Sequence, residues 1–169
     1  TDIKNYFEKT LQRSLQEIDL SLFTSYLTLD AGINEGKNEV QFLFVYDKES
    51  RHLQHCQPSD LQEELNGVAF QSPYGEFSFA GVPSEGMVSR EDLFMDLLSV
   101  VSDSADVKRM IVVSFNEEYG KKVTDVLQGL KGKEVMQFRM NEPEIPVNYK
   151  WDMLAFPVMH SLGIRAEEL

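Results

Sequence analysis

The sequence predicts an α/β or α+β fold with an N-terminal amphipathic helix and a mixed sheet of about five or six strands. Two observations carry this prediction. Residues 76–140 alternate strand-like and helix-like patterns, which indicates a βαβαβ portion with parallel crossovers. Residues 25–57 predict strands separated by short polar turns, which indicates an antiparallel portion. The chain has 169 residues, the size of one domain, and we expect residues 1–169 to fold as one.

The N-terminal half is organised around one helix and one apolar strand. Apolar residues recur at spacings of three and four, which predicts a surface helix over residues 3–20, capped by Thr1 or Asp2. The spacing of the apolar residues then changes from a helical to a strand-like pattern. Residues 40–46 (VQFLFVY) are nearly all apolar, which predicts a central strand buried on both faces. Residues 51–57 are more polar and predict its antiparallel partner, nearer a sheet edge.

The second half shows a more regular alternation. Ser89 caps a predicted helix that extends to about Ser102, and residues 110–115 (MIVVSF) predict a buried strand. A helix over residues 117–130 and an alternating strand over residues 135–140 follow. Before this region, Ser59 stands three residues ahead of Gln62, the spacing of a capping box, and predicts a short helix.

The charge of the chain is strongly acidic and uneven. The formal net charge is −12, and residues 1–107 hold 19 acids against 7 bases. Such a field repels nucleic-acid backbones and anionic lipid, so we expect neither nucleic acid nor membrane as a partner. It permits a basic protein partner and favours a soluble protein. The single cysteine, Cys56, excludes an internal disulfide and fits a cytoplasmic protein, and no signal peptide is predicted.

One cluster of potential metal ligands occurs, at His52, His55 and Cys56. Soft metals favour such side chains. On a strand, however, positions 52 and 55 point to opposite faces of the sheet. We therefore expect no metal site and no cofactor.

Ser84 lies in the turn-rich sequence GVPSEG. A nucleophile elbow needs glycine two residues before its serine, and Val82 occupies that position. No paired catalytic groups are found elsewhere, so no catalytic residue is predicted.

The loops over residues 81–89 and 114–118 follow predicted strands and precede predicted helices, which is where ligands bind in parallel sheets. Ser84 and Asn116 are therefore the candidate ligand-binding residues. No glycine-rich phosphate motif accompanies them. Acids open both helices and disfavour a phosphate there: Glu91, Asp92, Glu117 and Glu118.

The C-terminal segment 149–162 is apolar and aromatic, and it predicts a helix broken near Pro157. The segment either packs on the domain's own sheet or exposes an aromatic patch to a partner. In the second case Trp151, Met153 and Phe156 are the candidate partner-binding residues.

These observations favour a non-enzymatic protein-interaction or regulatory domain, for example an acidic domain that neutralises or chaperones a basic protein. Two alternatives stay open. The first is a small-ligand or nucleotide-binding α/β protein that uses the loops at 81–89 and 114–118. The second is a structural subunit of a homo-oligomer.

Overall fold

The chain folds into a mixed α/β structure that begins with the predicted N-terminal helix. The structure, a computed structural model, describes residues 2–114 and 116–169, without the side chains of Asp2, Asn116 and Glu117. The α-helices are α1 (Asp2–Leu11), α2 (Leu20–Asp30), α3 (Arg90–Asp103), α4 (Asn116–Gln128) and α5 (Ala155–Ser161). The strands are β1 (Ile18–Asp19), β2 (Asn38–Asp47), β3 (Cys56–Gln57), β4 (Ala69–Ser72), β5 (Gly75–Ser84), β6 (Arg109–Val113), β7 (Glu134–Arg139) and β8 (Lys150–Met153). Short 3-10 turns form at Lys48–Ser50 and Ala166–Glu168, and a π-helical turn forms at Leu61–Leu65.

Contacts divide the chain into two compact units. The first comprises Thr1–Ser84 and Ala155–Leu169, and the second comprises Glu85–Leu154. The strands form three sheets, in the orders β1-β3, β2-β5-β4 and β6-β7-β8, rather than one mixed sheet. That the whole chain forms a single domain stays a prediction. None of the described helices has the length and apolar character needed to cross a membrane.

The main sheet of the first unit pairs β2 with β5 in parallel, while β4 returns antiparallel to β5. The prediction that residues 51–57 pair with the strand at 40–46 is wrong, because β3 pairs in parallel with β1 instead. The physical reason is that the side chains of β5 match the apolar side chains of β2 better than those of residues 51–57 do. In register, β5 places Phe77 and Phe79 beside the apolar side chains of β2, whereas the segment 51–57 is polar.

The predicted antiparallel portion over residues 25–57 is wrong at its start, because residues 25–30 belong to a second helix. The predicted helix over residues 3–20 ends at Leu11, and α2 follows. The Asp19 carboxylate caps α2, accepting hydrogen bonds from the backbone amides of Ser21 (2.9 Å) and Leu22 (3.3 Å). Two buried threonines of α2 donate their hydroxyls to carbonyl oxygens one turn back, so burial leaves these groups satisfied.

The cap of the short helix near residue 60 is one residue later than predicted. Asp60, not Ser59, accepts hydrogen bonds from the amides of Gln62 and Glu63, each at 2.9 Å. The helix that follows is the π-helical turn, whose Leu61 and Leu65 are buried in the core of the first unit.

The second unit is a three-stranded parallel sheet with helices α3 and α4 on one face. The predicted strand–helix–strand order from residue 76 to residue 140 is present. The helix α4 connects β6 to β7, and these two strands pair directly in parallel. The first strand of that order, β5, belongs to the other sheet. Core residues from α3, α4, β6 and β7 pack together: Leu98, Met110, Val112, Tyr119, Val123, Leu127 and Val135.

The C-terminal segment contains a strand before its helix. Residues 150–153, predicted as helix, form β8 and pair in parallel with β7, because their alternating pattern places Trp151 and Met153 on one face. Pro157 lies in the first turn of α5 and does not break it, since proline lacks only an amide that has no helical partner there.

Candidate functional site

The sheet β2-β5-β4 has one buried face and one exposed face. On β2, Phe42, Phe44 and Tyr46 point to the buried side, and Glu39 and Gln41 are exposed on the other. Strand alternation places Leu43, which is 38 % exposed, on the same outer side. The prediction that this strand is buried on both faces is therefore wrong, because among the described residues only one face has a helix-and-loop layer against it. We call the outer side the acidic sheet face and define it by Glu39, Gln41, Leu43, Gln71 and Glu76.

Two glutamates lie directly opposite each other on the acidic sheet face. Glu39 of β2 is the register partner of Glu76 of β5, and Gln71 of β4 stands on the other side of Glu76. Both glutamates are exposed, and neither has a basic partner at ion-pair distance in the described part of the chain. Neighbouring strands lie about 4.8 Å apart, so the two negative charges are held close together.

The strand register that places Glu39 opposite Glu76 is set at the preceding pair of residues. Asn38 pairs with Gly75, and the Asn38 side-chain amide donates to the carbonyl oxygens of Tyr74 (2.7 Å) and Asn34 (3.0 Å). These bonds tie the start of β2 to the turn between β4 and β5. A shift of the β2–β5 register by one residue would move Glu39 to the buried face. The Asn38 hydrogen bonds therefore also determine on which face the acids lie.

The outer edge of β2 carries unpaired backbone groups. β2 is ten residues long and, in the part of the chain that the structure describes, pairs only with β5. Within residues 2–114 and 116–169, no backbone hydrogen bond outside that pairing involves residues 39–46. The strand contains no proline, no lysine and no bulge, three of the devices that natural proteins use to protect an edge.

The buried side of the same edge is aromatic. Phe42 packs against Phe77 and Phe79, with ring centroids 5.2 Å and 5.1 Å apart, and Phe44 packs against Phe79 at 5.8 Å. Phe42 and Phe44 are only half-buried, because no further strand lies beyond β2 in the described structure. The edge therefore presents apolar rings on one side and carboxylates on the other.

The two predicted ligand-binding residues lie in different units. Ser84 stands at the carboxyl end of β5 opposite Asp47, and its hydroxyl donates to the Asp47 carboxylate at 3.0 Å. Asn116 begins α4, but its side chain lies outside the described residues, as does the predicted cap at Thr1 or Asp2. Of the helix-opening acids, Glu91 pairs with Lys122 and Glu118 with Arg90.

A buried polar network that sequence reasoning missed lies near the carboxyl ends of β6 and β7. Gln137 is fully buried, and its amide oxygen accepts from the hydroxyl of Tyr149 (2.7 Å) and from Arg139 (3.2 Å). Its amide nitrogen donates to the Ser114 hydroxyl at 3.3 Å. The alternation of residues 135–140 sets Gln137 with Arg139 against the apolar Met136, Phe138 and Met140, so the sequence pattern did not indicate that Gln137 is buried.

The predicted partner-binding residues also divide between the units. Trp151 and Met153 share one face of β8, where they stand beside Gln137 and Arg139 of β7, and both are half-buried. Phe156 is 45 % exposed on α5 of the first unit. The assignment of these three residues to a partner stays a prediction.

His52, His55 and Cys56 lie in a segment of irregular backbone before and at the start of β3. His52 forms a bridge with Asp60, and its Nε2 lies 3.7 Å from the Asp60 carboxylate. His55 has a left-handed backbone (φ +64°), and burial raises the pKa of the Cys56 thiol. Among the described residues, no group of three or more histidine, cysteine or acidic side chains is arranged to hold a metal ion.

A shallow depression at the amino ends of β6 and β7 gathers several bases. It is lined by Lys108, Arg109, Gly132, Lys133 and Glu134. The Lys133 ammonium donates to the carbonyl oxygens of Ser104 and Val107, and Arg109 pairs with Glu134 at 2.9 Å. Most of this positive charge is therefore engaged in holding the unit together.

Comparison with known proteins gives a family and no activity. No curated protein and no solved structure matches the chain. The model of a family of unknown function, DUF6621, matches residues 1–169. The chain belongs to the DUF6621 family.

Proposed function

We propose that the protein is a non-enzymatic interaction domain that binds a basic protein through the acidic sheet face of its first unit. The observation that carries this proposal is the direct opposition of Glu39 and Glu76. Like charges directly opposite each other destabilise a sheet. A lysine or arginine from a partner, placed between the two carboxylates, would replace one repulsion by two attractions.

The wider charge of the first unit supports a basic partner. Counted over Thr1–Ser84 and Ala155–Leu169, the unit holds 15 acids and 7 bases. Several of its other acids already have partners within the unit. Asp60 pairs with Arg51, and Glu168 pairs with Arg13 at 2.8 Å. Glu39 and Glu76 differ from these acids because their charge is available to another molecule.

The experiment compares capture of partners by the wild-type chain and by a Glu39→Gln/Glu76→Gln variant. The matched control is Glu142→Gln/Glu144→Gln, which changes the net charge equally at exposed acids of the second unit. Immobilised protein is incubated with native lysate at about 50 mM and about 150 mM salt, and bound proteins are identified. We expect a stoichiometric basic protein that the wild type and the control retain and the Glu39/Glu76 variant loses. Equal retention by all three proteins, or no stoichiometric partner at either salt concentration, contradicts the proposal.

A second candidate function is the binding of a small ligand by the second unit. The Gln137 network favours it, because polar side chains gather at the carboxyl ends of parallel strands, where ligands bind in α/β proteins. A thermal-shift screen of nucleotides, flavins and metals tests this candidate. A ligand at 100 times its Kd adds about 2.7 kcal/mol of stability. A screen with no shift counts against it, as does a shift that is unchanged in Arg139→Met.

A further inference from the structure

We infer that the basic partner binds as an extended strand added to the outer edge of β2, with Lys or Arg alternating with apolar residues. This inference rests on the proposed function and specifies its binding mode. In such strand addition, main-chain hydrogen bonds provide affinity, and alternate side chains provide specificity.

The length and continuity of β2 suit it to this role. The pairing with β5 runs from Asn38 opposite Gly75 to Asp47 opposite Ser84 without an offset, so the strand is regular throughout. Ten residues span about 33 Å, enough for an added strand of ordinary length. The outward amide and carbonyl groups of residues 39–46 have no partner within the described structure.

The two sides of the edge call for two kinds of side chain. A strand beside β2 would place alternate residues on the acidic sheet face, next to Glu39 and Gln41. The long side chain of a lysine or arginine there would lie beside the Glu39 carboxylate and extend over β2 towards Glu76 on the next strand. The residues in between would stand beside Phe42 and Phe44, whose half-buried rings would be covered by β-branched apolar side chains. Alternation of basic and apolar residues is thus the pattern that fits both sides.

A second copy of this chain fits the edge less well. β2 contains two acids, Glu39 and Asp47, and no base. Pairing β2 with another β2 would bring acids to acids and satisfy neither glutamate of the acidic sheet face. Charge complementarity therefore favours a basic strand.

The test uses the full chain and an alternating Lys–Val peptide of about ten residues, the length of β2. Affinity is measured by fluorescence anisotropy for three forms of the peptide. The first is unmodified, the second is N-methylated at every lysine, and the third is N-methylated at every valine. In an added strand, only alternate amides point at β2, so one methylated form blocks the pairing and the other leaves it intact.

We expect one methylated peptide to lose affinity about tenfold or more and the other to stay within about threefold of the unmodified peptide. Hydrogen exchange should slow at alternate amides of β2 when the unmodified peptide binds. A Glu–Val peptide of the same length should not bind.

The possible failures are distinguishable. Binding that both methylated forms retain, or both lose equally, overturns strand addition while leaving a basic partner on the acidic sheet face. Absence of binding by the unmodified peptide at low salt overturns the inference and also counts against the proposed function. Slowed exchange outside β2 with none in β2 would place the peptide elsewhere and overturn the inference alone.

Discussion

Gly75 faces Asn38 so closely that a β-carbon at position 75 would lie 1.9 Å from the Asn38 carbonyl oxygen. Gly75 also has a positive φ of +134°, which side chains rarely adopt. Only glycine therefore allows β5 to begin its parallel pairing with β2 at this register.

We expect Gly75→Ala to destabilise the protein by more than about 2 kcal/mol, because the clash is with backbone that cannot rotate away. Gly36→Ala is the control. Its φ is +153° with open space around the added atom, so it shares the unfavourable backbone angle without the clash. Urea denaturation of both variants checks the prediction. Equal losses in the two variants would contradict it.

Removal of either charge of the Glu39–Glu76 pair should stabilise the free protein. We expect Glu39→Gln or Glu76→Gln alone to add a few tenths of a kcal/mol, since each relieves the same repulsion. The double variant should gain little beyond the single ones, and the gain should shrink at high salt because salt screens exposed charges. A double-mutant cycle by denaturation measures this, with Glu142→Gln as the unpaired control. Strictly additive gains would show that the two charges do not interact.

The Asp60 carboxylate should make stability depend on acid pH. Its pKa is held below the ordinary value of 3.8, mainly by the amide of Glu63 and then by the amide of Gln62 and by Arg51. The folded state therefore prefers the charged form. The contribution of Asp60 is complete above its unfolded pKa and is lost as the pH falls through the lower folded pKa.

Asp60→Asn isolates this charge, because asparagine also caps helices. We expect the variant to be less stable than wild type at pH 7, with the difference shrinking as the pH falls below 3.8. Denaturation series at stepwise lower pH provide the measurement, and Asp106→Asn, an exposed acid, serves as the control. A difference that is constant down to the lowest pH would contradict the prediction.

The Gln137 network should behave as a coupled unit. Tyr149→Phe removes one donor to the Gln137 oxygen and should cost about 1 kcal/mol. Gln137→Leu removes the buried amide and its hydrogen bonds to Ser114, Arg139 and Tyr149, and should cost about 1–3 kcal/mol. The double variant should cost less than the two costs added together, as denaturation will show, and Tyr6→Phe on the surface should be neutral. Additivity would contradict a shared network.

The local sequence pattern was sufficient to predict the helices and strands that are stabilised by residues within their own segment. The α3 helix begins at its predicted cap, with the Ser89 hydroxyl accepting from the Asp92 amide at 3.1 Å, and α4, β6 and β7 form close to the predicted ranges. Capping and side-chain periodicity act within a few residues, so both can be identified directly in the sequence. The acidity of the first unit is likewise a property of composition.

Residues whose conformation depends on distant neighbours were mispredicted. α2 lacks a clear amphipathic stripe, and its helix is stabilised by the Asp19 cap and by burial of Leu20, Thr24, Leu27 and Thr28. Lys150–Met153 forms a strand because it pairs with the edge of β7 that β6 does not occupy. Burial by the surrounding structure outweighs intrinsic preferences that differ by only about 1 kcal/mol.

The candidate site shows the same division. The sequence by itself determined an acidic chain with an apolar strand at 40–46 and alternating helices and strands after residue 76. Only the tertiary structure decided that β2 pairs with β5, which brings Glu39 opposite Glu76 and leaves one edge and one face of β2 uncovered by the residues that the structure describes. Strand pairing depends on which distant segment offers matching side chains in register, and no local pattern contains that information.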